Sequence, residues 1–221
     1  MVMLLNWRGQ NFIHRGDFSV KIKNQSATLI WSTPNAEQII ECTGRLAYKS
    51  EDKVTGDSHA NFIKMLLARK HESVLEHASA SIHFITNRGI SHEIVRHRIA
   101  SYTQESTRYC NYSKEKFGNE ITVIQPFFEK SGDWITSCKA AEAAYLAALA
   151  AGEKPQVARD LLPTCLKTEL IMTANFREWR HFIRLRIAKD AHPQIQDLAQ
   201  QTLRILNGVA PNVFPFGGFG E

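Results

Sequence analysis

Between Arg96 and Tyr109 the chain reads Arg-His-Arg-Ile-Ala-Ser-Tyr-Thr-Gln-Glu-Ser-Thr-Arg-Tyr, three guanidinium groups, an imidazole and a run of hydroxyls around one carboxylate, Glu105. Guanidinium forks and short hydroxyls are the donors that match phosphate oxygens. A solvated charge run alternates its signs instead. The segment therefore has the chemistry of an anion site, and a second cluster of cations follows at Arg177 to Arg186.

A plainer account pairs Arg96, Arg98 and Arg108 with acids such as Glu93, Glu105 and Glu76, since most charged side chains are solvated or paired. Against it, three arginines exceed the local supply of acids, and Ser101, Ser106 and Thr107 add donors that no ion pair requires. The histidines from His71 to His97 raise a metal site, with His71, His77, His92 and His97 converging on Glu72 or Glu93. No HExxH or comparable ligand spacing exists, so no metal is expected and hydrogen-bonding histidines in a polar cleft are favoured. Cys110 and Cys165 are conceivable nucleophiles without the usual partner residues nearby. There is neither GxGxxG nor GxxxxGK[ST], so a bound nucleotide must be held by side chains. Trp179 and Phe182 are expected in the core rather than on a ligand.

The whole chain has 221 residues, 43% of them hydrophobic, enough for one domain over residues 1 to 221. No linker or repeat divides it, and residues 214 to 221 read as a C-terminal tail whose three phenylalanines have docking potential. The net charge of +5 is modest and local. With no zinc-finger spacing and no RNP-like strand, a nucleic-acid-binding module using the same arginines is only the alternative reading. Cys42, Cys110, Cys138 and Cys165 form no CxxC pair, so reduced thiols are expected. Met1 to Leu5 is short for a signal peptide and Ala143 to Ala151 is about half a membrane span, which leads to an expectation of a soluble cytoplasmic protein without membrane contact.

The elements that must carry these residues can be read from periodicity. Residues 18 to 31 suggest short strands turning at Lys23-Asn24-Gln25, and Pro34-Asn35 introduces a helix to about Tyr48. A second helix is expected over His59 to Lys70, then a strand over Ala78 to Thr86 broken by Asn87-Arg88-Gly89. Helical spacing resumes from Ile90 to Arg98, placing the anion segment at a helix C-terminus, where cations suit the dipole. Trp134 to Ala151 is a helix stopped by Gly152, and Pro155 opens a short helix that presents Arg159. Thr164 to Thr173 alternates like a strand. Asn175 and Glu178 form a capping box for a helix burying Trp179, Phe182, Ile183 and Ile187, and Pro193 starts the last helix. This order predicts an α+β domain.

Arg-His-Arg, two residues, Ser, four residues, then Ser-x-Arg-Tyr resembles the signature of the flavin-dependent thymidylate synthases, the ThyX family. The resemblance extends to His71-Glu72-Ser73 with Glu76-His77, to Pro155 to Arg159, to Asn175-Phe176-Arg177 and to His181 to Arg186. Two positions depart from it: the family's usual Asn-Glu pair is Thr103-Gln104 here, and Glu93 stands where glutamine is common. Gln104 keeps an acceptor but loses a charge. Glu93 repels a phosphate unless an arginine intervenes.

The resemblance implies a homotetramer with a mixed, largely antiparallel sheet flanked by helices and with sites between subunits. It also implies reductive methylation of dUMP to dTMP, with 5,10-methylenetetrahydrofolate as carbon donor and NADPH-reduced FAD as hydride source, and without a cysteine nucleophile. Carried over by position, Ser73, Arg96, His97, Arg98, Gln104, Asn175, Phe176, Arg177 and His181 contact FAD. Glu93, Arg96, Gln104, Glu105, Ser106, Thr107, Arg108, Arg159 and Arg186 line the dUMP site. Arg186 is the catalytic candidate, a fixed cation at the uracil ring.

Overall fold

The computed structural model describes residues 4–5, 11–12, 20–127 and 132–219. Residues 18 and 19 of the expected first strand, residues 1 to 3 of the apolar opening and residues 220 and 221 of the expected tail lie outside them. In chain order the strands are β1 (Leu4–Leu5), β2 (Asn11–Phe12), β3 (Lys21–Lys23), β4 (Ser26–Ser32), β5 (Ser79–Asn87), β6 (Ser101–Gln104), β7 (Thr122–Ile124) and β8 (Lys167–Asn175). The helices are α1 (Ala36–Tyr48), α2 (Ser58–Ala68), α3 (Arg88–Ile94), α4 (Gly132–Ala150), α5 (Pro155–Ala158), α6 (Phe176–Ile187) and α7 (Pro193–Val209), with short 3₁₀ turns at Glu72–His77 and Arg159–Leu161 among others.

Four strands form an antiparallel sheet in the order β4-β5-β8-β6, while β3 pairs with β7 in parallel. The side-chain period of two decides which face is buried. Ala80, Ile82 and Phe84 of β5 lie opposite Ala174, Met172 and Leu170 of β8, and all six are buried. Against that face pack Trp179, Phe182 and Ile183 of α6, each without exposure, and Trp179 Nε1 donates to the Ala80 carbonyl at 3.1 Å. The apolar stripe of α6 therefore faces the sheet, and its arginines are left for other faces. Helices α1 and α2 approach closely at Gly44, where a Cβ would stand 2.6 Å from the Phe62 ring.

A second core, of Tyr112, Ile121, Val123, Cys138, Tyr145, Ala158 and Leu166, lies beneath α4. The C-terminal phenylalanines divide by burial. Phe214 and Phe219 pack into the main core, with Phe214 against Phe176 at 5.1 Å and Phe219 beneath the Arg180 guanidinium, while Phe216 is exposed.

The structure fixes three boundaries. The short strands expected on either side of Lys23-Asn24-Gln25 form as β3 and β4, but they enter different sheets, β3 joining β7 and β4 joining β5, and Gln25 between them is buried, donating to the Gln194 carbonyl and to Asp197 on α7. Asn87-Arg88-Gly89 breaks the strand as expected, β5 ending at Asn87, whose Oδ1 accepts the Ile90 N–H at 2.8 Å as the N-cap of α3. That helix ends at Ile94 rather than Arg98, as the Tyr102 hydroxyl approaches the carbonyls of Ile94 and His97 and holds a turn there. Arg96, His97 and Arg98 thus sit on a turn between α3 and β6. No helix among the described residues is long and apolar enough to cross a membrane.

Candidate functional site

The turn after α3 meets the last turn of α6, where Arg186 is held by three acceptors. Its Nε donates to His97 Nε2 at 3.1 Å, one terminal nitrogen to Glu93 Oε2 at 2.8 Å, and the other to the Glu93 carbonyl at 2.8 Å. A guanidinium has five N–H groups, so three are engaged and two remain for a ligand. Beyond His97 the chain of contacts continues to Glu178, whose Oε1 lies 3.1 Å from His97 Nδ1. Because Arg186 can only donate, His97 Nε2 must accept, which puts the imidazole proton on Nδ1 and directs it to Glu178. The sequence Glu178, His97, Arg186, Glu93 is then a consistent series of donors and acceptors that fixes the direction of the Arg186 fork.

His97 is buried, and its ring lies edge-on to His181 and Phe182. Burial, then the neighbouring Arg186 and His181, lower its pKa to about 4. A histidine whose folded pKa is depressed contributes stability that is complete above the unfolded value of about 6.5 and is lost as pH falls toward the folded one. The shift corresponds to about 3 kcal/mol at most. Burial raises the Glu178 carboxyl pKa, an effect of opposite sign that offsets the loss toward the acid end of the window. Denaturant midpoints measured from pH 7 to pH 4.5 should therefore fall, and fall less in His97→Gln. A wild-type midpoint flat across that range contradicts the neutral buried imidazole.

The acids that a plainer account assigns to the anion segment are engaged elsewhere. Glu93 pairs with Arg186, Glu105 with Lys167 at 2.9 Å, and Glu76 with Arg177 at 2.6 Å. Among the described residues, Arg96, Arg98, Arg108 and Arg159 have no carboxylate within ion-pairing distance. All four are exposed. Arg108 donates from Nε to Gln156 Oε1 at 3.2 Å, which ties the turn Ser106–Cys110 to the short helix α5. Arg159 follows directly on α5 and, with Thr107, Arg88 and His92, lines a cavity of about 310 Å³. Helix α3 thus supplies two residues to the Arg159 cavity and, through Glu93, the anchor of Arg186.

The remaining expected site residues fall into distinct settings. Gln104 spends its amide N–H groups on Ser91 Oγ and Thr168 Oγ1, at 2.9 and 3.2 Å, so its carbonyl oxygen is left as an acceptor. Glu105 is a brace, gripped by Lys167 and by the Tyr112 hydroxyl at 3.0 Å. Ser73 is exposed on the 3₁₀ turn Glu72–His77, and Arg177 and His181 are exposed on α6. Asn175 caps α6 by accepting the Glu178 N–H at 2.9 Å. The other half of the expected capping box does not form, because Glu178 turns its carboxylate to His97. The ring of Phe176 is wholly buried, which leaves only its backbone to meet a ligand.

Sequence reasoning missed Glu178 as the partner of His97, Arg88 and His92 as cavity residues, and Ser91 and Thr168 as the holders of Gln104. The capping signature disguised Glu178. The i, i+4 spacing of Arg88 and His92 was available as a signal, but the expected helix began after Arg88. The histidines and acids considered for a metal are not brought together as one group. The grouping the fold makes is His97, Glu178 and His181, with ligand atoms within 4.8 Å of one another. Both ring nitrogens of its His97 are already engaged, one by a cation.

A family model described as "Thymidylate synthase complementing protein" matches residues 28–212. The flavin-dependent thymidylate synthase of Geobacter sulfurreducens is 35% identical over 200 residues, 87% of this chain and 86% of that protein. The enzyme of that name from Mycobacterium tuberculosis is 34% identical over 209 residues, 83% of this chain and 81% of its own. In fold, the chain resembles Helicobacter pylori ThyX crystallised with FAD and dUMP, with a TM-score of 0.73 at 23% identity over 86% of this chain and 97% of that one. It resembles equally the UMP/dUMP methylase PolB of Streptomyces cacaoi, with a TM-score of 0.74 at 22% identity over 88% and 95% of the two chains.

Proposed function

The chain belongs to the flavin-dependent thymidylate synthase family, and from that premise we propose that it methylates dUMP to dTMP, taking the carbon from 5,10-methylenetetrahydrofolate and the reducing power from NADPH by way of FAD. The observation that carries the reading is the set of four exposed arginines, Arg96, Arg98, Arg108 and Arg159, whose nearby acids are committed to other cations. Such a surface is electrostatically incomplete without anions, and it suits both a pyrophosphate and a nucleoside monophosphate. A nucleic-acid module on the same arginines finds no support.

For FAD, the donor set fits. Arg96 and Arg98 with Ser73, Gln104, Asn175, Arg177 and His181 would hold the coenzyme, with His97 orienting the group from within and the Phe176 backbone alongside. When bound, FAD supplies the hydride chemistry that no side chain provides. For dUMP, Ser106, Thr107, Arg108 and Arg159 hold the phosphate, with Arg96 and Glu105 at the same segment. The Gln104 carbonyl oxygen accepts from the ligand. Arg186 directs its two uncommitted N–H groups at the uracil ring and favours negative charge at N3 and the adjacent oxygen, while Glu93 keeps the fork from turning away. No thiol is called for, and Cys110, whose pKa burial raises above that of an ordinary thiol, has none of the usual partner residues of a nucleophile beside it.

The active assembly is a homotetramer with its sites between subunits. In favour of this, Ile99 and Tyr109 lie within the anion segment at 71% and 76% exposure, apolar surface that a neighbouring subunit would cover. A cytoplasmic location fits four free cysteines. The purified protein is expected to show flavin absorption, as isolated or after reconstitution with FAD, and dUMP should perturb that spectrum. A protein that takes up no flavin by either route refutes the reading.

A further inference from the structure

Cys138 and Cys165 play no part in the reaction above, yet the fold brings them together from different elements. Their Sγ atoms are 3.6 Å apart, one on α4 and the other in the turn Pro163–Leu166 that leads into β8. Both line a cavity of about 500 Å³ whose walls also include Trp134, Ser137 and Pro163. Cys138 is buried and Cys165 partly exposed, so a small solute in that cavity meets Cys165 first. We propose that these two thiols are a modification site, which a hydroperoxide converts into an intramolecular disulfide.

The chemistry balances in two steps. The Cys165 thiolate attacks the terminal peroxide oxygen, the O–O bond breaks, hydroxide leaves from hydrogen peroxide or alkoxide from an organic hydroperoxide, and a sulfenic acid forms. The Cys138 sulfur then attacks the Cys165 sulfur, expelling water as its own proton is transferred, and the S–S bond closes. Peroxide is reduced by two electrons, and the thiol pair is oxidised by two. The order of roles follows from the surroundings. The Cys138 thiol is pushed up to about 12 by burial and by its neighbour, whereas hydrogen bonds from Cys138 and Trp134 favour the Cys165 thiolate against the burial that raises its pKa. Cys165 is the attacking sulfur and Cys138 the resolving one.

The bond has a structural reach. The Leu166 carbonyl accepts the Arg88 N–H at 3.1 Å and the Thr164 carbonyl accepts the Gly89 N–H at 3.2 Å, so the Cys165 turn is fastened to the first residues of α3. That helix carries Arg88 and His92 of the Arg159 cavity and the Glu93 anchor of Arg186. A disulfide to α4 therefore braces the segment on which the anion site is built.

The test uses the whole native protein, exposed to hydrogen peroxide, blocked with an alkylating agent and mapped by peptide mass. Expected is a Cys138–Cys165 cross-linked peptide, two thiols lost to titration, Cys42 and Cys110 still alkylated, and reversal by dithiothreitol. The rate should rise about tenfold per pH unit below the Cys165 pKa, because only the thiolate attacks. In Cys138→Ser, Cys165 should stop at the sulfenic acid, detectable with dimedone. Four titratable thiols surviving peroxide, oxidation confined to Cys42, or Cys165 linked to Cys42 or Cys110 would each overturn the proposal. The wild-type mapping decides even if the variant fails to fold, and it does so independently of the thymidylate synthase reading.

Discussion

Arg186→Ala is expected to lower kcat for dTMP formation on the order of a hundred- to a thousandfold, the cost typical of removing one donor from developing negative charge. The fold should survive, because Arg186 is on the last turn of α6 and the buried stripe of that helix, Trp179, Phe182 and Ile183, is untouched. The geometry also predicts which replacements fail to rescue. Lysine brings a charge but a single nitrogen, and it cannot meet His97 Nε2, Glu93 Oε2 and the Glu93 carbonyl while still presenting donors to a ligand. Arg186→Lys should therefore resemble the alanine variant, while Glu93→Gln, which retains an oxygen toward Arg186, should remain active. Steady-state kinetics with flavin content and circular dichroism as controls decide the matter. Near-normal kcat in Arg186→Ala removes this residue from the uracil.

Arg108→Ala should act on binding rather than on the chemical step. Its guanidinium has the Gln156 amide oxygen and the Tyr109 ring as neighbours, and no carboxylate among the described residues, so its charge is available to a phosphate. Loss of a charge-assisted contact of about 3 kcal/mol raises the dUMP requirement on the order of a hundredfold. kcat at saturating dUMP should change little, since the contact is equally present in ground and transition states. The flavin spectrum should be unaltered, which separates this residue from Arg96 and Arg98. If dUMP saturates Arg108→Ala as readily as wild type while FAD binding weakens, the two anion sites have been exchanged in our assignment.

Period and punctuation made much of the architecture legible beforehand. β8 alternates strictly and β5 buries Ala80, Ile82 and Phe84 on the same core face, while α6 and α7 carry apolar residues at helical spacing between an Asn cap and a Pro start. Boundaries failed where a distant side chain intervened. Tyr102, reaching back from β6, ends α3, and Gln25, held by α7, links β3 in one sheet to β4 in another. Neither contact has a local signature, since each joins two different elements and no single helical or strand period links its partners.

What the residues pointed to by themselves was the chemistry of the ligands: cations interleaved with hydroxyls suit oxyanions, whatever the fold. Only the tertiary structure decided which of those cations remain available. Lys167, Arg177 and Arg186, distant in sequence, take up Glu105, Glu76 and Glu93, and Glu178 leaves its expected cap to fix the His97 tautomer. The physical reason is that charge compensation depends on separation in space, and the separations between β8, α6 and the turn after α3 are set by how the helices pack on the sheet.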